Sequence, residues 1–93
     1  MNSRRVVVTG IGAITPIGLL REGLWDGLRA RRSAVRTLTR FDPSIFRSHN
    51  AAEVADFVPT DHLEARRAKR LDRFGQFSVI AARMAMEDSE LDL

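Results

Sequence analysis

The sequence contains no cysteine among its 93 residues. A chain without thiols cannot form a disulfide bond, a thiolate metal site or a cysteine nucleophile. Long hydrophobic runs are also absent, since no stretch approaches the roughly 18 consecutive apolar residues of a transmembrane helix. No internal repeat or low-complexity segment is present. These absences exclude a disulfide-stabilised domain, a helical membrane span within these residues and a repeat array.

Lysine is scarce, because Lys69 is the only lysine and arginine supplies the rest of the 15 basic residues. With 12 acidic residues the formal net charge is +3. Hydrophobic residues make up 44% and charged residues 29% of the chain, which is ordinary for a globular protein and excludes a disordered tail. A charge of this size permits nucleic-acid binding without requiring it.

The amino terminus combines Arg4 and Arg5 with the apolar run Val6-Val7-Val8. This order resembles a signal peptide, but glycine, proline and threonine residues interrupt the apolar stretch before Leu20, and no convincing cleavage site follows. We therefore expect a cytoplasmic protein. Residues Arg4 to Thr9 predict a strand buried on both faces, because three consecutive valines show no alternation.

Gly10 and Gly12 follow this strand and have two interpretations. A strand that leads into G-x-G is typical of dinucleotide-binding folds, but the third glycine position is occupied by Thr15 and Pro16 follows it. Close backbone packing at the end of the strand is the favoured alternative. The sequence accordingly predicts no cofactor.

A helix is predicted over residues 18–31, where Leu20, Leu24 and Leu28 form an apolar stripe. Gly23 and Gly27 share another face of this helix, which favours close packing against a neighbouring backbone. Residues 32–50 are predicted to be irregular, and residues 51–54 a short strand. Residues 58–61 predict a helix start in which Asp61 and Glu64 could form a capping box.

Two further helices are predicted, a short basic one over residues 62–71 and a longer one over residues 73–88. The longer helix carries apolar residues on nearly every side, which is typical of a helix in the core of a large protein. A chain of this length cannot easily cover such a helix. We therefore expect these residues to be a piece of a larger protein or one partner of an obligate oligomer.

The basic helix carries the most distinctive charge cluster of the sequence. On a continuous helix, four cations spaced i, i+3, i+4 and i+7 share one face: Arg66, Lys69, Arg70 and Arg73. This face could bind phosphate, an acidic protein or an anionic lipid. The alternative is a solvated face with local ion pairs to Glu64 and Asp72. No aromatic residues interleave with the cations as in single-strand binders, so nucleic acid is not the expected partner.

His49 and His62 are the only two histidines, and neither has a second ligand at metal-binding spacing. We interpret both as surface residues. The sequence therefore predicts neither a catalytic residue nor a metal ligand in this chain.

Several short motifs, distributed from one end of the sequence to the other, resemble one enzyme family. They are Arg4 to Gly12, Thr15 to Gly18, Trp25 with Leu28, Phe41-Asp42, Ala52 to Val54, Asp56-Phe57, Leu71 to Phe74, Gln76-Phe77, Glu87-Asp88 and Leu91 to Leu93. Together they resemble the opening of the β-ketoacyl-[acyl carrier protein] synthases. The type II elongating synthase of bacterial fatty-acid synthesis is the best match, and the ketosynthase subunits of aromatic polyketide systems share the same opening.

The resemblance implies an α/β fold, the amino-terminal portion of a thiolase-like layered α/β/α/β/α arrangement that is incomplete in this chain. Residues 1–93 would be the amino-terminal part of the synthase's first domain, and the full enzyme a homodimer. Family enzymes condense malonyl-carrier protein with an acyl thioester by means of a cysteine, two histidines and a lysine. None of these positions lies in this chain, so we expect the 93 residues alone to be inactive.

The resemblance also implies a partner, because similar synthases dock acyl carrier protein on a basic helix just before the L-D-R-F segment. The matching positions are Arg66, Lys69 and Arg70, with Arg67 and Arg73 as weaker members. Complementary charge fits an acidic carrier. A non-catalytic carrier-binding module remains an alternative, and a small nucleic-acid binder a more distant one. Two departures from the family are Ala34 and Glu90, where glycine is frequent.

Overall fold

A computed structural model describes residues 3–92, so that Leu93 of the last sequence motif lies outside the described part. Within these residues the chain forms two short antiparallel hairpins, three α-helices and one 3-10 turn. In chain order these are β1 (Ile14–Thr15), β2 (Gly18–Leu19), α1 (Leu20–Arg29), β3 (Val35–Thr37), β4 (Asn50–Ala52), the 3-10 turn (Pro59–Asp61), α2 (Ala65–Lys69) and α3 (Arg73–Ser89). The mixed α/β class expected from the resemblance is therefore observed.

The strand predicted for Arg4 to Thr9 is wrong. These residues lie in no β-ladder, and Val6 and Val8 are 94% and 82% exposed. A strand needs a neighbour to hydrogen-bond with, and no segment among residues 3–92 pairs with this one. High β-propensity alone does not make a strand.

Helix α1 begins two residues later than predicted, because Gly18 and Leu19 pair with Thr15 and Ile14 in the first hairpin. The glycine face of α1 packs on this hairpin. A Cβ on Gly27 would lie 2.6 Å from the carbonyl oxygen of Ile17, and one on Gly23 would lie 3.2 Å from the backbone of Gly18. The predicted close backbone approach is confirmed.

The apolar stripe of α1 faces solvent instead of a core. Leu20, Trp25 and Leu28 are 47%, 59% and 55% exposed, whereas Gly27 on the opposite face is buried. Trp25 and Leu28, together with Ile11 and Leu24, line an open apolar groove of about 410 Å³. The helix therefore presents most of its hydrophobic surface outward.

The segment predicted to be irregular contains a second hairpin. Val35–Thr37 pairs with Asn50–Ala52 in antiparallel register, so that the predicted strand at 51–54 begins one residue earlier and ends at Ala52. Just past the pair, the Glu53 carboxylate accepts hydrogen bonds from the backbone N–H and the hydroxyl of Thr39, both at 2.7 Å. These bonds join the first residues of the hairpin loop to the residue that follows β4.

The core lies between α3 and the segment that precedes α2. Its buried side chains are Phe57, Leu63, Ala68, Ile80 and Met84. Helix α3 matches its predicted range of 73–88 within one residue, yet it remains uncovered on one side, with Phe74 73% exposed. Among residues 3–92, no helix has the length and apolar character that crossing a bilayer requires.

The uncovered surface is large for a chain of this size. The accessible area is 7951 Å², whereas a compact monomer of 10.5 kDa exposes about 5,400 Å². The radius of gyration is 16.8 Å, compared with about 12 Å for a compact domain of this length. The described residues thus bury only part of the apolar surface that they carry, as expected for a piece of a larger core.

Candidate functional site

Helix α2 carries the predicted docking cations on one turn of helix. Arg66 and Lys69 lie within the helix and Arg70 is its C-cap residue, so the three are spaced i, i+3 and i+4 and share a face. All three are exposed, whereas Ala68 between them is buried in the core. The helix is shorter than the predicted range of 62–71, because a 3-10 turn and an extended residue, Glu64, precede it.

The cations of α2 have no acidic partner in the described part of the chain. Both ion pairs found among residues 3–92 involve Arg21, which contacts Glu22 at 3.4 Å and Asp88 at 3.3 Å. Glu64 and Asp72 flank α2 but pair with none of its cations, so the local ion pairs of the alternative interpretation are not formed. The predicted capping box is also absent, since the helix makes no side-chain cap. The face is left with unneutralised positive charge.

Arg73 does not belong to this face, which corrects the prediction of four cations in one row. The chain bends between Arg70 and Asp72, so α2 and α3 are separate helices. Arg73 turns inward, donates a hydrogen bond to the carbonyl oxygen of Val54 at 2.7 Å and stacks over two aromatic rings. Its guanidinium carbon lies 5.5 Å from the ring centre of Phe57 and 5.1 Å from that of Phe77. This half-buried arginine packs on two aromatic rings and does not extend the face of α2.

The two histidines have structural contacts. The ring nitrogen Nε2 of His49 lies 2.9 Å from the carbonyl oxygen of Phe46, and the residue is exposed as predicted. His62 is half-buried instead of superficial, because its ring stacks on Phe57 with the centroids 5.8 Å apart. Within residues 3–92, no three side chains that could bind a metal ion lie together.

Gly10 and Gly12 pack closely against the backbone of α3. A Cβ on Gly10 would collide with the backbone of Ala85, and one on Gly12 with the backbone of Ala81. Between them, the backbone N–H of Ile11 donates a hydrogen bond to the carboxylate of Asp88 at 2.9 Å. The packing interpretation of these glycines is confirmed, and they do not open a helix as a pyrophosphate cradle would.

A cavity that none of the sequence patterns predicted lies between the two hairpins. Its volume is about 540 Å³, and its walls include Arg32, Arg36, Thr39 and Glu53. The pKa of Glu53 is lowered, chiefly by the hydrogen bond from the Thr39 backbone N–H and then by the Thr39 hydroxyl. The sequence feature that could have indicated a charged site here is the composition of residues 29–50, which contain six arginines and a single acidic residue, Asp42.

Comparison with curated proteins identifies relatives over the whole chain. The 3-oxoacyl-[acyl-carrier-protein] synthase 2 of Coxiella burnetii is 43% identical over 93 residues, which is 100% of this chain and 22% of that protein. The protein of the same name from Synechocystis is 44% identical over 91 residues, 98% of this chain and 22% of that protein. The chain thus spans about a fifth of the length of these relatives.

A solved structure, the ishigamide ketosynthase/chain length factor, is 44% identical and superposes with a TM-score of 0.81. The match covers 96% of this chain and 22% of that chain. The sequence also matches the family described as Beta-ketoacyl synthase, N-terminal domain, over residues 3–93. These findings confirm the resemblance drawn from the sequence motifs. The chain belongs to the β-ketoacyl synthase N-terminal domain family.

Proposed function

We propose that residues 1–93 are the amino-terminal part of a type II elongating β-ketoacyl-[acyl carrier protein] synthase. The full enzyme would condense malonyl-carrier protein with an acyl thioester and lengthen the chain by two carbons. The observation that carries this proposal is identity of 43–44% with two proteins named 3-oxoacyl-[acyl-carrier-protein] synthase 2 across essentially the whole chain. The large uncovered surface supports a position inside a larger fold, for which we propose thiolase-like layering.

The chemistry of this reaction would not come from the 93 residues themselves. The acyl group is transferred to a thiol nucleophile, and the chain contains no cysteine. We therefore propose that these residues alone do not catalyse condensation and that the full enzyme is a cytoplasmic homodimer. What this segment would contribute is a surface that recognises the protein to which the substrate is attached.

We further propose that Arg66, Lys69 and Arg70 dock the acidic acyl carrier protein. Three exposed cations on one turn, none of which forms an ion pair within the described residues, make a positive face with free donors. Complementary charge accelerates encounter and fixes the orientation of a charged partner. Such contacts lie in solvent, so binding should weaken as salt rises.

A polyketide ketosynthase subunit is the second candidate function. The observation that favours it is the structural similarity to the ishigamide ketosynthase/chain length factor, with a TM-score of 0.81 and 44% identity. Either enzyme would take its substrate from a carrier protein, so the docking proposal applies to both. An assay of the full-length enzyme would separate the two functions. It would measure whether malonyl-carrier protein extends an acyl chain once or extends the same chain repeatedly.

The docking proposal is tested by reversing charge on α2. The variant Arg66→Glu, Lys69→Glu and Arg70→Glu should weaken binding of the full-length enzyme to carrier protein on the order of 100-fold, because each exposed pair contributes up to about 1 kcal/mol. The matched control reverses three other exposed arginines that form no ion pair among residues 3–92 and changes net charge equally: Arg29, Arg36 and Arg47. Equal affinities for the two variants, measured by titration calorimetry at low salt, would contradict the proposal.

A further inference from the structure

Helix α2 is too short to be stable by itself. It has five residues, whereas an isolated helix of fewer than about 12 residues is marginal in water. Only Ala68 of the helix is buried, and no side chain caps its amino terminus. The single orientation of the three docking cations must therefore be imposed by contacts with another element.

Gln76, in the first turns of α3, supplies such contacts. Its side-chain amide nitrogen Nε2 donates hydrogen bonds to the carbonyl oxygen of Ala68 at 2.9 Å and to that of Leu71 at 3.3 Å. These two carbonyls lie at the carboxyl end of α2 and just beyond it, where regular helical partners run out. The Ala68 carbonyl also accepts from the backbone N–H of Leu71 at 3.3 Å, so Gln76 adds a second donor there. The two accepting residues stand immediately before Lys69 and immediately after Arg70.

Gln76 lies on the longest helix among residues 3–92. Helix α3 has 17 residues and buries Ile80 and Met84 in the core. The backbone N–H of Gln76 donates to the carbonyl oxygen of Asp72 at 2.9 Å, which fixes the first turn of the helix. Gln76 is itself half-buried and is the one long neutral polar side chain of α3. Its hydrogen bonds therefore hold the carboxyl end of α2 in a fixed position relative to α3.

We propose that Gln76 is a positioning residue that pre-arranges Lys69, Arg70 and the preceding turn of α2 for an acidic carrier protein. The inference rests on the docking function proposed above. Gln76 carries no charge and makes its bonds to the backbone, so its effect is exerted through the cations. A partner that meets an ordered helix does not have to order it on binding, which lowers the entropic cost of association.

The test uses the full-length enzyme with Gln76→Met, which keeps side-chain length and net charge and removes both hydrogen-bond donors. The dissociation constant and the KM for carrier-bound substrate should rise about three- to tenfold, the cost of ordering one to two long side chains. The kcat should not change, and neither should the kinetics with the same acyl groups on coenzyme A, which does not use the docking face. The control Ser78→Ala, at an exposed position of α3, should behave as the parent.

The outcomes separate this inference from the docking proposal. If charge reversal on α2 leaves carrier affinity unchanged, the docking proposal fails. If charge reversal weakens binding and Gln76→Met does not, only the role of Gln76 is refuted. A fall in kcat, or a raised KM for the coenzyme A substrate, would show that Gln76 merely supports the fold and would overturn the inference. In the charge-reversed background Gln76→Met should have no further effect on affinity.

A measurement on the unsubstituted protein tests the inference even if the Gln76→Met variant fails to fold. Hydrogen exchange at the backbone amides of Ala68, Arg70 and Leu71, which donate within and just after α2, reports whether the helix is formed before binding. We expect these amides to be protected in the free enzyme and to gain less than about threefold on addition of carrier protein. Unprotected amides that become protected only in the complex would refute pre-arrangement.

Discussion

The packing of the amino-terminal segment on α3 gives a sharp prediction for Gly12. A Cβ at this position would meet the carbonyl oxygen of Ala81 and lie 2.8 Å from the backbone nitrogen of Ala85. Both atoms belong to the helix backbone, which cannot move aside as a side chain could. Gly12→Ala therefore has to lift the segment off α3 and stretch the hydrogen bond from the Ile11 N–H to Asp88. Overpacking of this kind costs about 1–3 kcal/mol.

The same substitution at Gly75, glycine to alanine, should raise the free energy of unfolding instead of lowering it. Gly75 lies within α3, and a Cβ there would meet only the Leu71 side chain at 3.5 Å, an ordinary contact. Since glycine inside a helix is less favourable than alanine by about 0.5–1 kcal/mol, Gly75→Ala should stabilise the protein by that amount. The two variants carry the same substitution but differ in the space around the added methyl group and in whether the position is helical.

Urea denaturation of the full-length protein, followed by circular dichroism, measures both effects as shifts of the unfolding midpoint. Gly12→Ala should lower the midpoint and Gly75→Ala should raise it. An unchanged midpoint for Gly12→Ala would refute the close approach of residues 10–12 to α3. A lowered midpoint for Gly75→Ala would show that the space beside α3 is occupied by residues outside the described range.

Two further predictions concern a helix end and a carboxylate. Glu90, the C-cap of α3, has the left-handed backbone angles φ 57° and ψ 21°. Because glycine adopts this conformation without the strain of an L-residue, Glu90→Gly should stabilise the fold by about 0.5–1 kcal/mol. Glu90→Ala keeps the strain and should not change the stability. The same denaturation assay checks this. The pKa of Glu53 is lowered from 4.5, because the ionised carboxylate accepts the hydrogen bonds from Thr39. These bonds therefore stabilise the folded hairpin at pH values above the pKa of the unfolded chain. The stabilisation is lost as the pH falls through the lower pKa of the folded state. A carboxyl NMR titration should place the Glu53 midpoint below 4.5 and move it upward in Thr39→Val; a midpoint at 4.5 in both would contradict the contact.

Local pattern was sufficient for some elements and insufficient for others. Helix α3 was predictable because its apolar residues are dense over many turns, and it spans Arg73–Ser89 as observed. The second hairpin was predicted only in part. A strand was expected at residues 51–54, but its partner Val35–Thr37 was missed, since three exposed residues contain too little alternation to detect. The strand predicted at Arg4 to Thr9 failed because propensity does not provide a partner.

The candidate site shows the same division. Spacing along one turn was enough to group Arg66, Lys69 and Arg70, because residues three and four apart always share a helix face. Arg73 was misassigned because the spacing argument assumed a continuous helix through Asp72. Its actual environment depends on Phe57, which is distant in sequence. Gln76 was not recognised because a neutral amide gives no charge pattern and its bonds go to backbone atoms.

The exposed run Val6-Val7-Val8 should promote aggregation when residues 1–93 are prepared as an isolated segment. An uncharged, strongly β-forming segment without a ladder partner favours stacking of one chain on another. Arg4 and Arg5 stand directly before it, so in-register stacks would bring like charges together, and the arginines act as gatekeepers. Added salt screens this repulsion, so the isolated segment should be most soluble in dilute buffer and should form fibrous aggregates as the ionic strength increases.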